Sequence, residues 1–445
     1  MLRICFFLFL TSGFAARSYA QGTLQQSDLN QYYHSALNQF DHAQYGAALV
    51  NLNHFLDKVS AADVRRPEAM YLKSFCALNL YHQDAERQVE AFIREYPVHP
   101  RASTAYFDMG SFFYQQKNYA KAQRYFEKTD FRALSSEQAT TGRFRYGYSL
   151  FAQKKLKDAL VPFSAIKAQG GAYGPASSYY AGFIEYAEGD YTNALIDLKR
   201  AEENDSYKPV VPFLVASTLY RLNNSDELLA YGKSVLSRET LNNREEIALL
   251  MAEAYYRKGE YSSALEGYRA YAEGKEENAD KGVLLRAGHS AYQLKNNTDA
   301  IRYLRLAATS PDSTGYYASY YLGAAYLLQQ QKPLAFTAFE NARRYVKDRR
   351  MAEESSFQYA KIAYDLGKPD LSITEFEKFL KAYPTSPYVN EVKELLSQAY
   401  INANNVNKAI EYIEALPKRS PAVDRAYQKA TYLKGSEYFN KDDYA

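Results

Sequence analysis

The 445-residue chain is poor in the two residues that interrupt helices, with 21 glycines and 14 prolines. Their combined share is about two-thirds of the average in proteins. Tryptophan is absent, whereas tyrosine is abundant, with 44 residues. Because glycine and proline punctuate regular structure, their scarcity favours long helices.

The chain also has few cysteines and little excess of one charge over the other. The chain has 54 basic and 51 acidic residues, a net charge of +3, which argues against a dedicated nucleic-acid binder because neutralising phosphates needs clustered excess cations. Two cysteines, Cys5 and Cys76, cannot staple a chain of this size, so a disulfide-rich module is excluded. We expect Cys76 to be a small buried residue. The 47% hydrophobic residues can form an ordered core, and the composition indicates a soluble, helix-rich protein.

The first twenty residues, 1–20, have the pattern of a secretory signal peptide. Arg3 precedes an apolar run at 4–14, and a small residue, Ala20, marks the cleavage site. The run is about half as long as a bilayer-spanning helix, and Cys5 lies inside it rather than after the cleavage site. We therefore expect an exported chain with no lipid anchor. No later apolar stretch is long enough to span a membrane.

Internal repeats appear as two small residues twelve positions apart, with a turn-like segment between them. From residue 110 onward the first small residue recurs every 34 to 38 positions. The pairs are Ala36/Ala48, Gly110/Ala122, Gly147/Ala159, Gly182/Ala194, Ala252/Ala264, Gly288/Ala300, Gly323/Ala335, Ala360/Ser372 and Ser397/Ala409.

Each repeat reads as two amphipathic helices around a polar turn. The turns are rich in Gly, Asn and Asp, for example QQKNY (115–119) and RKGEY (257–261), and these residues are expected to adopt the left-handed conformation that ends a helix. Small residues at the paired sites predict a close approach of the two helices. An apolar residue usually follows the second small site by four positions, on the same helix face: Phe126, Phe163, Leu198, Tyr268, Leu304, Phe339, Phe376 and Ile413.

These repeats resemble the tetratricopeptide repeat, which has Gly or Ala at its eighth position, an aromatic residue near its eleventh and Ala at its twentieth. The unit that carries Gly110, Phe113, Ala122 and Phe126 matches this pattern well. The resemblance implies an all-α fold, a right-handed superhelical solenoid of stacked helix hairpins over 21–445. It predicts about eleven units and a truncated final unit from about residue 426, so we expect a fragment of a longer protein.

An aromatic residue follows the first small site by four positions in most units, and we select these residues as candidate partner-binding positions. One interpretation is packing between adjacent repeats, with the tyrosine hydroxyls reaching solvent at the rim. The other is an aromatic groove for an extended peptide or glycan. The candidates are Tyr114, Phe151, Tyr186, Tyr220, Tyr256, Tyr292 and Tyr364.

Motifs that carry catalysis or bind cofactors are not found. The six histidines show no zinc-binding spacing, no nucleophile-elbow pattern is present, and GGAYGP at 170–175 lacks the Lys-Ser/Thr of a phosphate loop, so we interpret it as a linker. We therefore predict no enzymatic activity, no cofactor and no metal. A run of cations at 343–350, near an expected helix C-terminus, is interpreted as a solvated, dipole-stabilised segment or as a site for acidic partners.

The style of repeat is similar to that of exported tetratricopeptide proteins in the envelope of Gram-negative bacteria, which coordinate outer-membrane assembly and cell-wall constriction. This resemblance implies a non-enzymatic scaffold in the periplasm or associated with the outer membrane. Its partners would be envelope proteins bound on the concave face, without nucleic acid and without a membrane span in this segment. Two alternatives stay open: a ligand-sensing ectodomain of a longer receptor, and a targeting module for a missing C-terminal enzyme. The oligomeric state is left open.

Overall fold

The computed structural model describes residues 21–345 and 347–440, and within these ranges the chain forms helices and no strands. The predicted signal peptide lies outside the described residues. The chain divides into two compact units, unit 1 up to Gly189 and unit 2 from Asp190. Each is described by itself.

Within residues 21–189, unit 1 contains nine α-helices joined by short turns and loops. They are α1 (Gln21–Asp41), α2 (Tyr45–Lys58), α3 (Arg66–Asn79), α4 (Ala85–Glu95), α5 (Pro100–Gln115), α6 (Tyr119–Glu127), α7 (Ser136–Ala152), α8 (Leu156–Ser164) and α9 (Tyr173–Glu188).

The described part of unit 2 contains fourteen α-helices and a short 3₁₀ helix at Glu276–Asn278. The α-helices are α10 (Tyr191–Glu202), α11 (Val211–Arg221), α12 (Ser225–Leu236), α13 (Arg244–Arg257), α14 (Tyr261–Ala272), α15 (Lys281–Gln293), α16 (Asn297–Ala307), α17 (Ser313–Leu328), α18 (Lys332–Ala342), α19 (Arg349–Asp365), α20 (Pro369–Ala382), α21 (Val389–Asn402), α22 (Val406–Glu414) and α23 (Pro421–Asn440).

The helices alternate in role within each unit. We call the odd-numbered helices first helices and the even-numbered helices second helices. Each second helix packs on the first helices before and after it in the same unit, and first helices also pack on one another, for example α5 on α7 and α15 on α17. The predicted all-α fold of stacked helix hairpins is therefore confirmed in both units.

The small residues at the first site lie where the two helices of a hairpin touch. A methyl group added at Gly110 would lie 2.8 Å from the ring of Phe126, and one added at Gly323 would lie 2.9 Å from the ring of Phe339. Gly147 has the same relation to its own hairpin partner. The close approach predicted from the sequence is thus confirmed, and it is the apolar residue four positions after the second small site that fills the space.

The turns within hairpins follow the prediction in part: Gly259 in RKGEY has the predicted left-handed conformation, with φ at 76°. In several of them lysine, rather than Gly, Asn or Asp, adopts the left-handed conformation: φ is 57° at Lys117 and 59° at Lys295. The neighbouring Asn118 and Asn296 instead cap the following second helix, and the side-chain oxygen of Asn118 accepts a hydrogen bond from the backbone N–H of Lys121 at 3.2 Å. Asparagine is favoured at this position because it satisfies an N–H group that the helix leaves free.

Two further sequence predictions fall in unit 1. The segment 170–175 is only partly a linker, because Tyr173, Gly174 and Pro175 form the first turn of α9. Cys76 is fully buried in α3 as a free thiol, as predicted.

Candidate functional site

The seven candidate aromatic residues all lie in first helices, and all are half-buried. They are Tyr114 in α5, Phe151 in α7, Tyr186 in α9, Tyr220 in α11, Tyr256 in α13, Tyr292 in α15 and Tyr364 in α19. The corresponding position in α17 is Leu327.

Six of these side chains have a contact within their own unit to the next first helix along the chain. The ring centres of Tyr114 and Tyr148 are 5.8 Å apart, and the Phe151 ring centre lies 5.0 Å from that of Tyr180. The same relation between successive first helices recurs in unit 2, in the pairs Tyr220 with Arg257, Tyr256 with His289, Tyr292 with Tyr321 and Tyr364 with Asn402. The geometry is that of packing between hairpins, and partner binding by these residues stays a prediction.

Tyrosines outside the seven candidate positions form a second set of contacts. Several of their hydroxyls donate hydrogen bonds to carboxylates, most of them on a neighbouring hairpin. The pairs include Tyr71 with Asp108 (2.8 Å), Tyr231 with Glu202 (2.7 Å), Tyr317 with Asp348 (2.7 Å) and Tyr320 with Glu354 (2.8 Å). The two residues of these pairs are 29 to 37 positions apart. A search for Tyr and Asp/Glu at that separation could have found them.

A cleft of about 290 Å³ opens between three successive first helices of unit 2, and we call it the tyrosine cleft. Tyr292 contributes from α15, and most of the remaining side chains come from α17 and α19. The residues that line it are Tyr292, Tyr317, Tyr320, Tyr321, Asp348, Arg350, Met351 and Glu354.

Aromatic rings form the walls of the tyrosine cleft. The rings of Tyr320 and Tyr321 are nearly perpendicular, at 71° with centres 5.1 Å apart, and Tyr292 lies 5.7 Å from Tyr321 at 53°. The His289 ring also packs on the Tyr321 ring, with ring centres 4.6 Å apart. The rings therefore contact one another along the wall of the cleft.

Carboxylates complete the tyrosine cleft. Asp348 caps α19 by accepting a hydrogen bond from the Met351 backbone N–H at 3.0 Å. The hydrogen bond from Tyr317, and then the backbone hydrogen bond from Met351, lower the pKa of Asp348, so this carboxylate is ionised at neutral pH. The hydrogen bond to Asp348, together with burial, raises the pKa of Tyr317 to about 12, so its hydroxyl keeps the proton that it donates.

A second and larger cleft, of about 1220 Å³, lies on the first-helix side of unit 1, and we call it the polar cleft. Phe107 of α5 and Tyr173 of α9 provide aromatic surface, and the Thr140 hydroxyl donates to the Gln169 side-chain oxygen at 3.0 Å. The other lining residues are Ser136, Glu137, Gln138, Thr141, Arg145, Gly170, Gly171 and Ala172. Each unit thus offers a solvent-open cleft lined mainly by its first helices.

The cation run at 343–350 is placed differently from the prediction. Arg343 follows the last residue of α18, and its guanidinium pairs with Glu375 at 2.5 Å and covers the ring of Tyr359. Arg349 and Arg350, however, begin α19, where the helix dipole disfavours cations. Only the first part of the cation run therefore lies at a helix C-terminus, as predicted.

The described residues contain no group of three or more His, Cys, Asp or Glu side chains arranged to hold a metal ion. None of the helices in the described ranges is both long enough and apolar enough to cross a bilayer.

Comparison with known proteins supports one family. The family model described as tetratricopeptide repeat matches residues 82–136 in unit 1 and 357–424 in unit 2. No curated protein sequence matches the chain.

Solved structures with low similarity include MamA protein, with 19% identity and a TM-score of 0.31 over 42% of this chain and 94% of that chain. The C-terminal part of a TPR repeat-containing protein from Cytophaga hutchinsonii has 15% identity and a TM-score of 0.42, covering 56% of this chain and 98% of that one. A chain of the Naa15/Naa10 structure bound to HypK-THB has 11% identity and a TM-score of 0.45, over 90% and 67% of the two chains. The two segments matched by the family model are therefore similar to the tetratricopeptide repeat, and helix hairpins of the same kind recur in the described part of both units.

Proposed function

We propose that this chain is a non-enzymatic scaffold that holds segments of other proteins against its first helices. The observation that carries the proposal is the recurrence of a solvent-open cleft on the first-helix side of both units, the polar cleft and the tyrosine cleft. Stacked helix hairpins generally bind extended partner segments on such surfaces.

The lining of both clefts suits a protein segment. Aromatic rings offer contact area at a low cost in conformational entropy, and they sit beside polar groups that can orient a peptide backbone. In the polar cleft, Phe107 and Tyr173 lie beside Thr141 and Gln138. The tyrosine cleft combines four tyrosines with three charged side chains.

A variant of the polar cleft tests the proposal without disturbing the core. Glu137 is exposed and lines this cleft. We expect Glu137→Arg to reduce capture of partner proteins from an envelope extract. The matched control, Asp158→Arg, makes the same charge exchange at an exposed position of a second helix in the same unit and should capture the same proteins as the unmodified chain. Equal capture by both variants would remove the support for the polar cleft as a partner-binding surface.

We also propose that the scaffold acts after export, in the periplasm or at the outer membrane of a bacterial envelope. The support is the signal-peptide pattern of residues 1–20. Expression with and without these residues, followed by fractionation, tests it. The full chain should appear in the periplasmic or outer-membrane fraction with residues 1–20 removed, and retention of an unprocessed chain in the cytoplasm would contradict export.

A further inference from the structure

We propose that the tyrosine cleft binds a cationic side chain, lysine or arginine, that projects from the bound partner segment. The proposal rests on the proposed function for the source of that side chain, and it goes further by assigning a chemistry to one cleft. It is carried by two independent features of the same cleft, its aromatic walls and its carboxylates.

The walls present tyrosine rings from two successive first helices. Tyr292 comes from α15, and Tyr320 and Tyr321 come from α17, with their ring planes inclined to one another by 53° and 71°. Rings arranged in this way can surround a cation, which is attracted to the negative face of an aromatic system. The hydroxyls of Tyr317 and Tyr320 are already engaged with carboxylates, which leaves the ring faces as the contact surface.

The charged groups of the cleft favour a cation over an anion. Asp348 and Glu354 contribute two carboxylates, and Arg350 contributes one positive charge. Both carboxylates are half-buried and fixed by tyrosine hydroxyls, whereas Arg350 is exposed. Because solvent screens an exposed charge more strongly than a half-buried one, the potential inside the cleft is negative. Arg350 lies at the rim and opposes the proposed ligand.

The size of the cleft favours a single side chain. Its volume of about 290 Å³ lies at the lower limit of the roughly 300–1,000 Å³ typical of sites for drug-sized ligands. The remaining lining residue, Met351, is only 4% exposed, so its flexible thioether borders the cleft from the protein interior.

The Met351 methyl group provides a direct probe. The chain has five methionines, so a protein labelled with ¹³C at the methionine methyl groups gives a simple NMR spectrum. The signal that disappears in Met351→Leu is that of Met351. We expect Nα-acetyl-lysine N-methylamide, whose side-chain ammonium group is free, to shift this signal in a saturable way. The uncharged Nα-acetyl-norleucine N-methylamide, whose side chain is that of lysine without the ammonium group, should shift it little, and the methionines outside the cleft should not respond to either compound.

Variants separate the two features of the cleft. Tyr321→Leu should weaken lysine binding about 5-fold, the effect of removing one cation–π contact. Asp348→Asn with Glu354→Gln removes two charges while keeping oxygens that can accept the tyrosine hydrogen bonds, and it should also weaken binding. The matched control, Glu266→Gln with Glu277→Gln, removes two charges from exposed positions of unit 2 and should leave binding unchanged. Arg350→Gln should strengthen it.

The outcomes distinguish this proposal from the proposed function. Equal shifts with the lysine and norleucine compounds, or no shift with either, would overturn the cation site whatever partner the scaffold holds. A shift with N-acetyl-glutamate methylamide that is lost in Arg350→Gln would also overturn it, because the cleft would then accept an acidic side chain. A saturable, charge-dependent shift would support the site, and it would do so even if Glu137→Arg left partner capture unchanged.

Discussion

The close contact of the two helices in a hairpin can be tested at two glycines that occupy the same position in the repeat. Gly323 is buried, and a methyl group placed there would lie 2.9 Å from three atoms of the Phe339 ring. Gly435 is the first small residue of the final unit, and a methyl group there meets nothing within 4 Å. Both lie inside helices, α17 and α23, so Gly→Ala has the same effect on helix propensity at each.

The expected magnitudes follow from two opposed effects. Replacing an interior helical glycine with alanine stabilises the folded state by about 1 kcal/mol. Overpacking a buried contact costs about 1–3 kcal/mol, and Phe339 is only 2% exposed, so its ring has little space to move. We expect Gly435→Ala to raise the free energy of unfolding by up to about 1 kcal/mol. We expect Gly323→Ala to lower it by about 1 kcal/mol, because a packing cost of about 2 kcal/mol exceeds the helix gain of about 1 kcal/mol.

Urea denaturation followed by circular dichroism measures both changes, and hydrogen exchange at α17 and α18 shows where the change occurs. Phe339→Leu removes the ring that the methyl group would meet. Adding Gly323→Ala to Phe339→Leu should therefore cost less stability than Gly323→Ala costs in the unmodified chain. If Gly323→Ala stabilised the protein as much as Gly435→Ala does, the proposed role of the small residue in helix contact would be refuted.

Three further predictions concern buried polar groups. Burial raises the pKa of the Cys76 thiol to about 12, so a Cys5→Ser protein should react with a thiol reagent only slowly at about pH 8 until urea unfolds it; fast labelling of the folded protein would contradict this burial. Burial lowers the pKa of His289, so the folded protein binds fewer protons at this residue than the unfolded protein does. The stability of the unmodified protein relative to His289→Gln should therefore fall as the pH drops below about 6.5. An NMR titration that gave His289 a pKa above that value would refute this prediction. Arg286 pairs with the buried Glu253 at 2.7 Å. Arg286→Met should lower the free energy of unfolding by about 3 kcal/mol because it leaves the Glu253 carboxylate without its counter-charge. A loss below about 1 kcal/mol would show instead that the hydrogen bond from Tyr268 is enough to stabilise this carboxylate.

The contacts inside a hairpin were predictable from the sequence because they depend on local periodicity. The twelve-residue separation of small sites identified both helices, and the apolar residue four positions later identified the ring that fills the space at Gly110 and Gly323. The left-handed conformation was harder to assign. The turn geometry imposes it on whichever residue stands at that position, including Lys117, whereas the adjacent Asn118 is selected to cap a helix.

The contacts between hairpins were not predictable in the same way. They depend on the rotation of each hairpin relative to the next, which the spacing of small residues does not specify. The hydrogen bond from Tyr320 to Glu354 and the inclined rings of Tyr292 and Tyr321 arise from this arrangement. Of the candidate aromatic positions, Tyr292 lines the tyrosine cleft, whereas the carboxylates of that cleft were not predicted. Partner binding by the candidate residues stays a prediction.

Photo-crosslinking in cells gives the most direct test of partner binding on the first-helix face. Benzoylphenylalanine would replace Arg350 or Glu137, which line the two clefts, or Leu334 or Val161, which are exposed on second helices. We expect defined crosslinked partners from the two cleft positions and none from the two second-helix positions. Crosslinks of equal strength from Leu334 and Val161, or crosslinks from these positions alone, would contradict the assignment of the binding face.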